Sequence, residues 1–233
     1  MEYILWLIIS FSIIGVLLFL SLYKKWKLKT CIYIGASVSL LSELLKIFTH
    51  MEYVSLENKS MGMVIEPTAL PLHMCSIFIF FFFYLAFSKN EKINNALLSF
   101  ITPVGLFGGL LAIFIATSGT NFKAPYSYQC FIYHSMLVWF SLYLLISKQV
   151  DLGIKAYIRN FIILFSLAII MIWVNGALKT YDTNFFFVVR PPKDNLPILN
   201  LNHGWYVYFL TLSLIGIILL SVVHIPYIIK HKK

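Results

Sequence analysis

The sequence predicts an all-α fold: a polytopic membrane protein, a seven-transmembrane-helix bundle with its N-terminus outside and its C-terminus in the cytoplasm. Three observations carry that prediction. Of the 233 residues, 60% are hydrophobic and only 12% are charged, too few charges to cover the surface of a soluble domain. Seven apolar runs approach or exceed the length of about 20 residues that a helix needs to cross a bilayer. Lys and Arg crowd into alternate loops between those runs, which orients the chain by the positive-inside rule.

The runs fall at approximately 3–23, 30–49, 70–87, 95–117, 126–146, 157–178 and 205–229, and together they make residues 1–233 a single transmembrane domain. The first run has Glu2 and no Lys or Arg ahead of it, and a basic loop follows it. It therefore reads as a membrane helix and not as a signal peptide. One set of loops holds Lys24, Lys25, Lys27 and Lys29, then Lys89 and Lys92, then Lys148, Lys155 and Arg159, then Lys230, Lys232 and Lys233. That is 12 basic residues, against 5 in the opposite set (Lys59, Lys123, Lys179, Arg190 and Lys193), with Lys46 inside a run. The excess marks the cytoplasmic side. The net charge of +9 is spread over these short clusters, which excludes a nucleic-acid-binding face.

With that orientation, the costly intramembrane polar groups gather in one leaflet. Glu43, Lys46 and His50 lie in the outer half of the second run, three, four and seven apart, on one helical face. His73 and Cys75 open the third run from outside. Cys130 and His134 lie four apart in the outer half of the fifth, and Asn175 with Lys179 closes the sixth. The inner halves are almost purely apolar. Ionisable groups at that depth need a partner or a function.

Each group has a structural and a functional reading. Glu43 and Lys46 make either an ion pair that fixes helix packing or a general base and head-group anchor. His73 and His134 are either hydrogen-bonded packing residues or the proton-transfer groups that acyl or phosphoryl chemistry requires. Residues two apart on a helix point to opposite sides, so Cys75 and His73 share a site only if Pro71 leaves this turn unwound. A thiolate paired with histidine supports covalent acyl transfer; an inert thiol packs as a small apolar group. Cys31, Cys75 and Cys130 make no disulfide framework. No spacing reads as a metal motif, a P-loop, a dinucleotide fingerprint or a Gly-x-Ser-x-Gly elbow, and no cofactor is expected.

The fourth run carries Pro103 and a Gly-x-x-x-Gly spacing at Gly105 and Gly109. Such small residues let helices approach closely, so this is a packing face or a helix–helix docking face for a partner. The loop 179–204 holds Phe185, Phe186 and Phe187, then Arg190, Pro191 and Pro192. It predicts aromatic packing over the helix mouths and a basic arm suited to lipid phosphate.

Several of these segments, in order along the chain, carry a resemblance: Glu43-Leu44-Leu45-Lys46, Leu70-Pro71-Leu72-His73-Met74-Cys75, His134-Ser135, and Thr183-Asn184-Phe185 running on to Arg190-Pro191-Pro192. The chain resembles the YwaF-type family of bacterial integral membrane proteins. More distantly it is similar to the eukaryotic transmembrane acyltransferases that build polyunsaturated ether phospholipids. Those use a cysteine beside a histidine after a proline at a helix start, and a second histidine in a later helix. The resemblance implies catalytic roles for His73 and His134, supported by Glu43 and Lys46. The nucleophile's position aligns with Leu72, and Cys75 follows one turn later on the same face.

The reading that results is a lipid-modifying acyltransferase or transacylase of a cell membrane, the bacterial plasma membrane, with its site in the outer leaflet and membrane lipids as its partners. In it His134 or His73 is the general base, Glu43 orients that histidine and Cys75 is a candidate nucleophile. Lys46 and Arg190 hold the head group, and Asn175 or Asn184 donates to an oxyanion. Two other classes fit the same composition: a small-solute transporter or its membrane binding component, and a non-catalytic membrane assembly partner.

Overall fold

Seven apolar runs become seven α-helices among the described residues. The structure is a computed structural model that describes residues 1–55, 61–116, 119–193 and 196–230, with 52–55 and 61 as backbone. Thr117, the end of the fourth expected run, and Lys59, Lys232 and Lys233 of the charge count lie outside the described residues. The helices are α1 (Glu2–Tyr23), α2 (Leu28–Thr49), α3 (Met74–Phe87), α4 (Glu91–Ile115), α5 (Pro125–Ile146), α6 (Ile154–Ala177) and α7 (Trp205–Lys230). Six of them are long and apolar enough to cross a membrane; α3, with 14 residues, is the shorter apolar one.

Pro71 explains the late start of α3. The residue before a proline is pushed out of the helical region, and Leu70 is extended, with φ −55° and ψ 147°. Residues 70–73 form a turn, His73 remains extended, and regular helix begins only at Met74. A short antiparallel hairpin, β1 (Met51–Ser55) with β2 (Met61–Ile65), fills the segment between α2 and that turn, Met51 opposite Ile65. The sequence reading placed only a loop there.

Helix α5 is the centre of the bundle, packed against α1, α2 and α4. Phe131, Leu137, Trp139, Phe140 and Leu144 are all buried on it, as a helix that is apolar all round requires. From α1, Trp6 inserts between Phe122 and Phe131, each ring 4.7 Å away, and its Nε1–H donates to the Thr120 carbonyl at 2.9 Å. The Gly105/Gly109 face of α4 lies against α5 of the same chain. A Cβ on Gly109 would meet Val138 Cγ2 at 2.8 Å and the His134 carbonyl oxygen at 3.0 Å. The absent side chain is therefore what lets α4 approach the turn that carries His134.

Pro103 sits inside α4 and has no N–H for the carbonyl of Ser99, four residues earlier. Asn160 of α6 replaces it: its Nδ2 donates to that carbonyl at 2.6 Å. His224 of α7 lies 3.1 Å from the same Nδ2, and its Nδ1 donates to the Leu152 carbonyl at 2.8 Å. Ser99, Asn160 and His224 are all fully buried. This network ties α4, α6 and α7 together at the end of the bundle opposite the site. It accounts for His224, and for a proline in a membrane helix, without any chemistry.

Candidate active site

The C-terminal turns of α2 and the N-terminal turns of α3 and α5 meet at one end of the bundle, because successive helices run in opposite directions. On α2, Glu43 is buried and Lys46 is nearly so; their ion pair is 2.7 Å long. Lys46 Nζ also donates to Ser76 Oγ of α3 at 2.9 Å. Gln129 of α5 donates to Ser42 of α2 at 2.7 Å, and the Tyr133 hydroxyl donates to the Cys75 carbonyl at 2.5 Å. The first turn of α3 is thus fixed from both neighbours, by Lys46 on one side and Tyr133 on the other.

Cys75 and His134 meet across this seam. The His134 ring donates from Nδ1 to the Cys130 carbonyl at 2.6 Å; a carbonyl can only accept, so Nδ1 carries the hydrogen. The Cys75 thiol is one of the groups that interact with the same ring. With Nδ1 committed, Nε2 is the nitrogen left to take the thiol proton. The Cys130 thiol stands 3.6 Å from Nδ1, the nitrogen already in use. Gly108 of α4 flanks the Cys75 sulfur, where a Cβ would come within 4.0 Å. Cys75 and His134 are both half-buried, so a substrate group has access that the core cysteine Cys31 does not offer.

Cys75 is also the second residue of a helix whose N-terminus no side chain caps among the described residues. The first amides of a helix lack intrahelical acceptors, and that end carries the positive pole of the helix dipole. Negative charge developing on the sulfur, or on an acyl oxygen beside it, meets unpaired N–H groups there.

His73 takes the N-cap position of α3, one turn from the seam and outside the regular helix. Its ring packs edge-on against Phe185 at 5.1 Å and near Phe187 at 6.1 Å, and it is hydrogen-bonded to the Thr68 main chain. The unwound turn at Pro71 is thus what brings His73 and Cys75 to the same end of α3. Phe185 and Phe186 are buried and fold the loop between α6 and α7 over that end.

Asn175, Asn184 and Arg190 build that loop. Asn175 Oδ1 accepts from the Phe185 amide at 2.9 Å, and its Nδ2 donates to the Phe185 carbonyl at 3.1 Å. Asn184 accepts from the amides of Val189 and Arg190 and donates to the Arg190 carbonyl at 2.8 Å. Arg190 grips both carboxylate oxygens of Asp182 at 2.6 Å. Asn175→Leu is expected to cost about 1–3 kcal/mol, because it leaves the buried Phe185 amide unpaired and removes one of the two donors to its carbonyl. Hydrogen exchange of the 183–190 amides should rise with it.

Lys46→Met would leave the Glu43 carboxylate buried without its counter-charge. Breaking a buried pair from one side costs about 3–5 kcal/mol. Thermal unfolding should show that loss, and Glu43→Gln in the same chain should recover much of it. Among the residues the sequence reading did not single out are Ser76, Gln129 and Tyr133. Gln129, Cys130, Tyr133 and His134 form two pairs four apart on adjacent faces of α5, and that polar stripe in an apolar helix was their signal.

Six helices long enough to cross a membrane, with an ionic and hydrogen-bonded layer at one end of the bundle, define a multi-pass membrane protein. The chain belongs to the TMEM164 family, whose family model matches residues 1–224. No curated protein and no solved structure matches it.

Proposed function

We propose that the protein is a membrane-lipid acyltransferase or transacylase in which Cys75 is the nucleophile and His134 its base. The observation that carries this reading is the half-buried thiol at an uncapped helix N-terminus, interacting with an imidazole whose Nδ1 is held by a backbone carbonyl. Cysteine–histidine pairs of this kind do covalent acyl transfer. The distantly similar ether-phospholipid acyltransferases pair a cysteine with histidines; their cysteine aligns with Leu72 here, and in this reading Cys75, one turn later on the same face, takes its role.

In the first half-reaction His134 takes the Cys75 proton and the sulfur attacks the carbonyl of an acyl-ester lipid. The S–C bond forms, the ester C–O bond breaks, and the leaving alkoxide takes the proton back from His134. In the second, His134 removes the proton of a lysolipid hydroxyl and the oxygen attacks the thioester; the new C–O bond forms, the C–S bond breaks, and the leaving thiolate takes the proton back from His134. The amides of the α3 first turn receive the oxyanion in both. Glu43 and Lys46 hold that turn in place through Ser76, and His73 with the Phe185 loop closes over it.

The proposal includes seven crossings, with the N-terminus outside and the site in the outer leaflet of a cell membrane. The ratio of 12 to 5 basic residues between alternate loops supports that orientation. Helix α3 rises only about 21 Å at 1.5 Å per residue. That is less than a hydrocarbon core of about 30 Å, and the turn at residues 70–73 supplies part of the remainder. The resemblance to the YwaF-type family supports a bacterial plasma membrane. The test is purified protein in liposomes containing a phospholipid with a labelled acyl chain and an unlabelled lysolipid. Label appearing in the lysolipid-derived product supports the reading, and none above protein-free liposomes rejects it.

A further inference from the structure

We propose that the pocket between the end of α6, the loop 182–190 and the start of α7 is a phosphate-binding site. As a head-group subsite for the acyl transfer it rests on that reading; as a phosphate site it stands on its own geometry. The pocket has a volume of about 260 Å³, and Lys179, Thr183, Arg190 and Trp205 are among the residues that line it.

Its charge is positive. Lys179 is exposed and makes no ion pair among the described residues, and Arg190 is paired with the exposed Asp182. Two cations and one carboxylate leave a net charge of +1 facing the pocket. Arg190 directs three hydrogen bonds to Asp182, two to its carboxylate and one to its carbonyl. A guanidinium has five donors, so two remain, on a side chain that Asp182 already holds still. Such a pre-oriented guanidinium matches phosphate oxygens better than a mobile one.

Thr183 supplies the independent observation. It is 3% exposed, yet its Oγ1 is buried with no hydrogen-bond partner. A buried hydroxyl left unpaired is costly, and this one belongs to a residue lining a basic pocket. A phosphate oxygen would satisfy it. Trp205 gives the site its place: its Nε1–H is used by the Val188 carbonyl at 2.8 Å, leaving the ring as a wall at the level where tryptophan meets lipid head groups.

The pocket is also joined to the seam that holds Cys75. Asn175 lines it and binds both backbone groups of Phe185, whose ring packs on His73. A phosphate seated there would brace the loop that covers the reactive end of α3.

The experiment uses the full chain in detergent, carrying Cys75→Ala so that no turnover intervenes. Native mass spectrometry with dioleoyl phosphatidic acid, dioleoylglycerol and inorganic phosphate separates the sources of the group. We expect phosphatidic acid to bind at least tenfold more tightly than dioleoylglycerol. Thr183→Val and Lys179→Gln should each weaken it about tenfold, the worth of one charge-assisted hydrogen bond. Competition by inorganic phosphate at low millimolar concentration would assign the site to free phosphate; its absence assigns it to the lipid. Thr183→Val should leave the unliganded protein at least as heat-stable, since it removes an unpaired buried hydroxyl. Equal binding of the two lipids, or binding unchanged in both variants, overturns the proposal. Neither result depends on acyl transfer, so each reading can fail alone.

Discussion

Cys75→Ala is expected to abolish acyl transfer, by roughly 10⁴-fold or more, the scale on which removing a covalent nucleophile acts. In the proposed reaction the thiol supplies both the bond to the acyl group and the leaving group of the second half-reaction, so no neighbour would replace it. Cys130→Ala is the control, because its sulfur faces His134 Nδ1, the nitrogen already bound to a carbonyl. It should keep activity within a few-fold. Cys75→Ala removes one sulfur from a half-buried site and leaves untouched the Tyr133 bond, which goes to the Cys75 backbone. Thermal stability should therefore change little, and the loss is read as chemistry.

His134→Ala is expected to lower the rate about 10²–10⁴-fold, the range that a positioned acid–base group contributes. His134→Gln retains a donor for the Cys130 carbonyl and so keeps the local packing, but has no basic nitrogen. It should lose nearly as much activity as alanine while unfolding at the wild-type temperature. If glutamine restored the rate, His134 would be a packing residue and the base would lie elsewhere. His73→Ala should cost less than either, since its ring is turned toward Phe185 and the Thr68 main chain.

The helices were legible because a membrane crossing is a local property, written as length and apolarity. The seven runs match seven helices; the entry of α3 lies later than expected, at Met74 and not Leu70, for the reason Pro71 supplies, while α4 and α6 begin earlier, at Glu91 and Ile154. The polar layer was legible too, since Glu43, Lys46, His73, Cys75 and His134 were each conspicuous in an apolar context. Pairing was not. Spacing along α5 put Cys130 with His134, and both thiols do lie near that ring. That Cys75 of α3 interacts with the same ring depends on the rotation of α3 against α5, a long-range quantity that no periodicity encodes. The same holds for Asn160 and His224, 64 residues apart in sequence and joined to satisfy a carbonyl that Pro103 leaves open. Asn175, at the end of the sixth run, and Asn184 read as candidate oxyanion donors; their three-way backbone bonding is visible only once the loop is folded.

The most direct measurement is intact-protein mass spectrometry after the purified protein is incubated with a phospholipid alone, with no acceptor present. The expected result is an added mass equal to one acyl chain, mapped to Cys75, removed by neutral hydroxylamine as a thioester and absent from Cys75→Ala. An unmodified protein that still moves label to lysolipid, or an adduct on Cys130 that survives in Cys75→Ala, would contradict it.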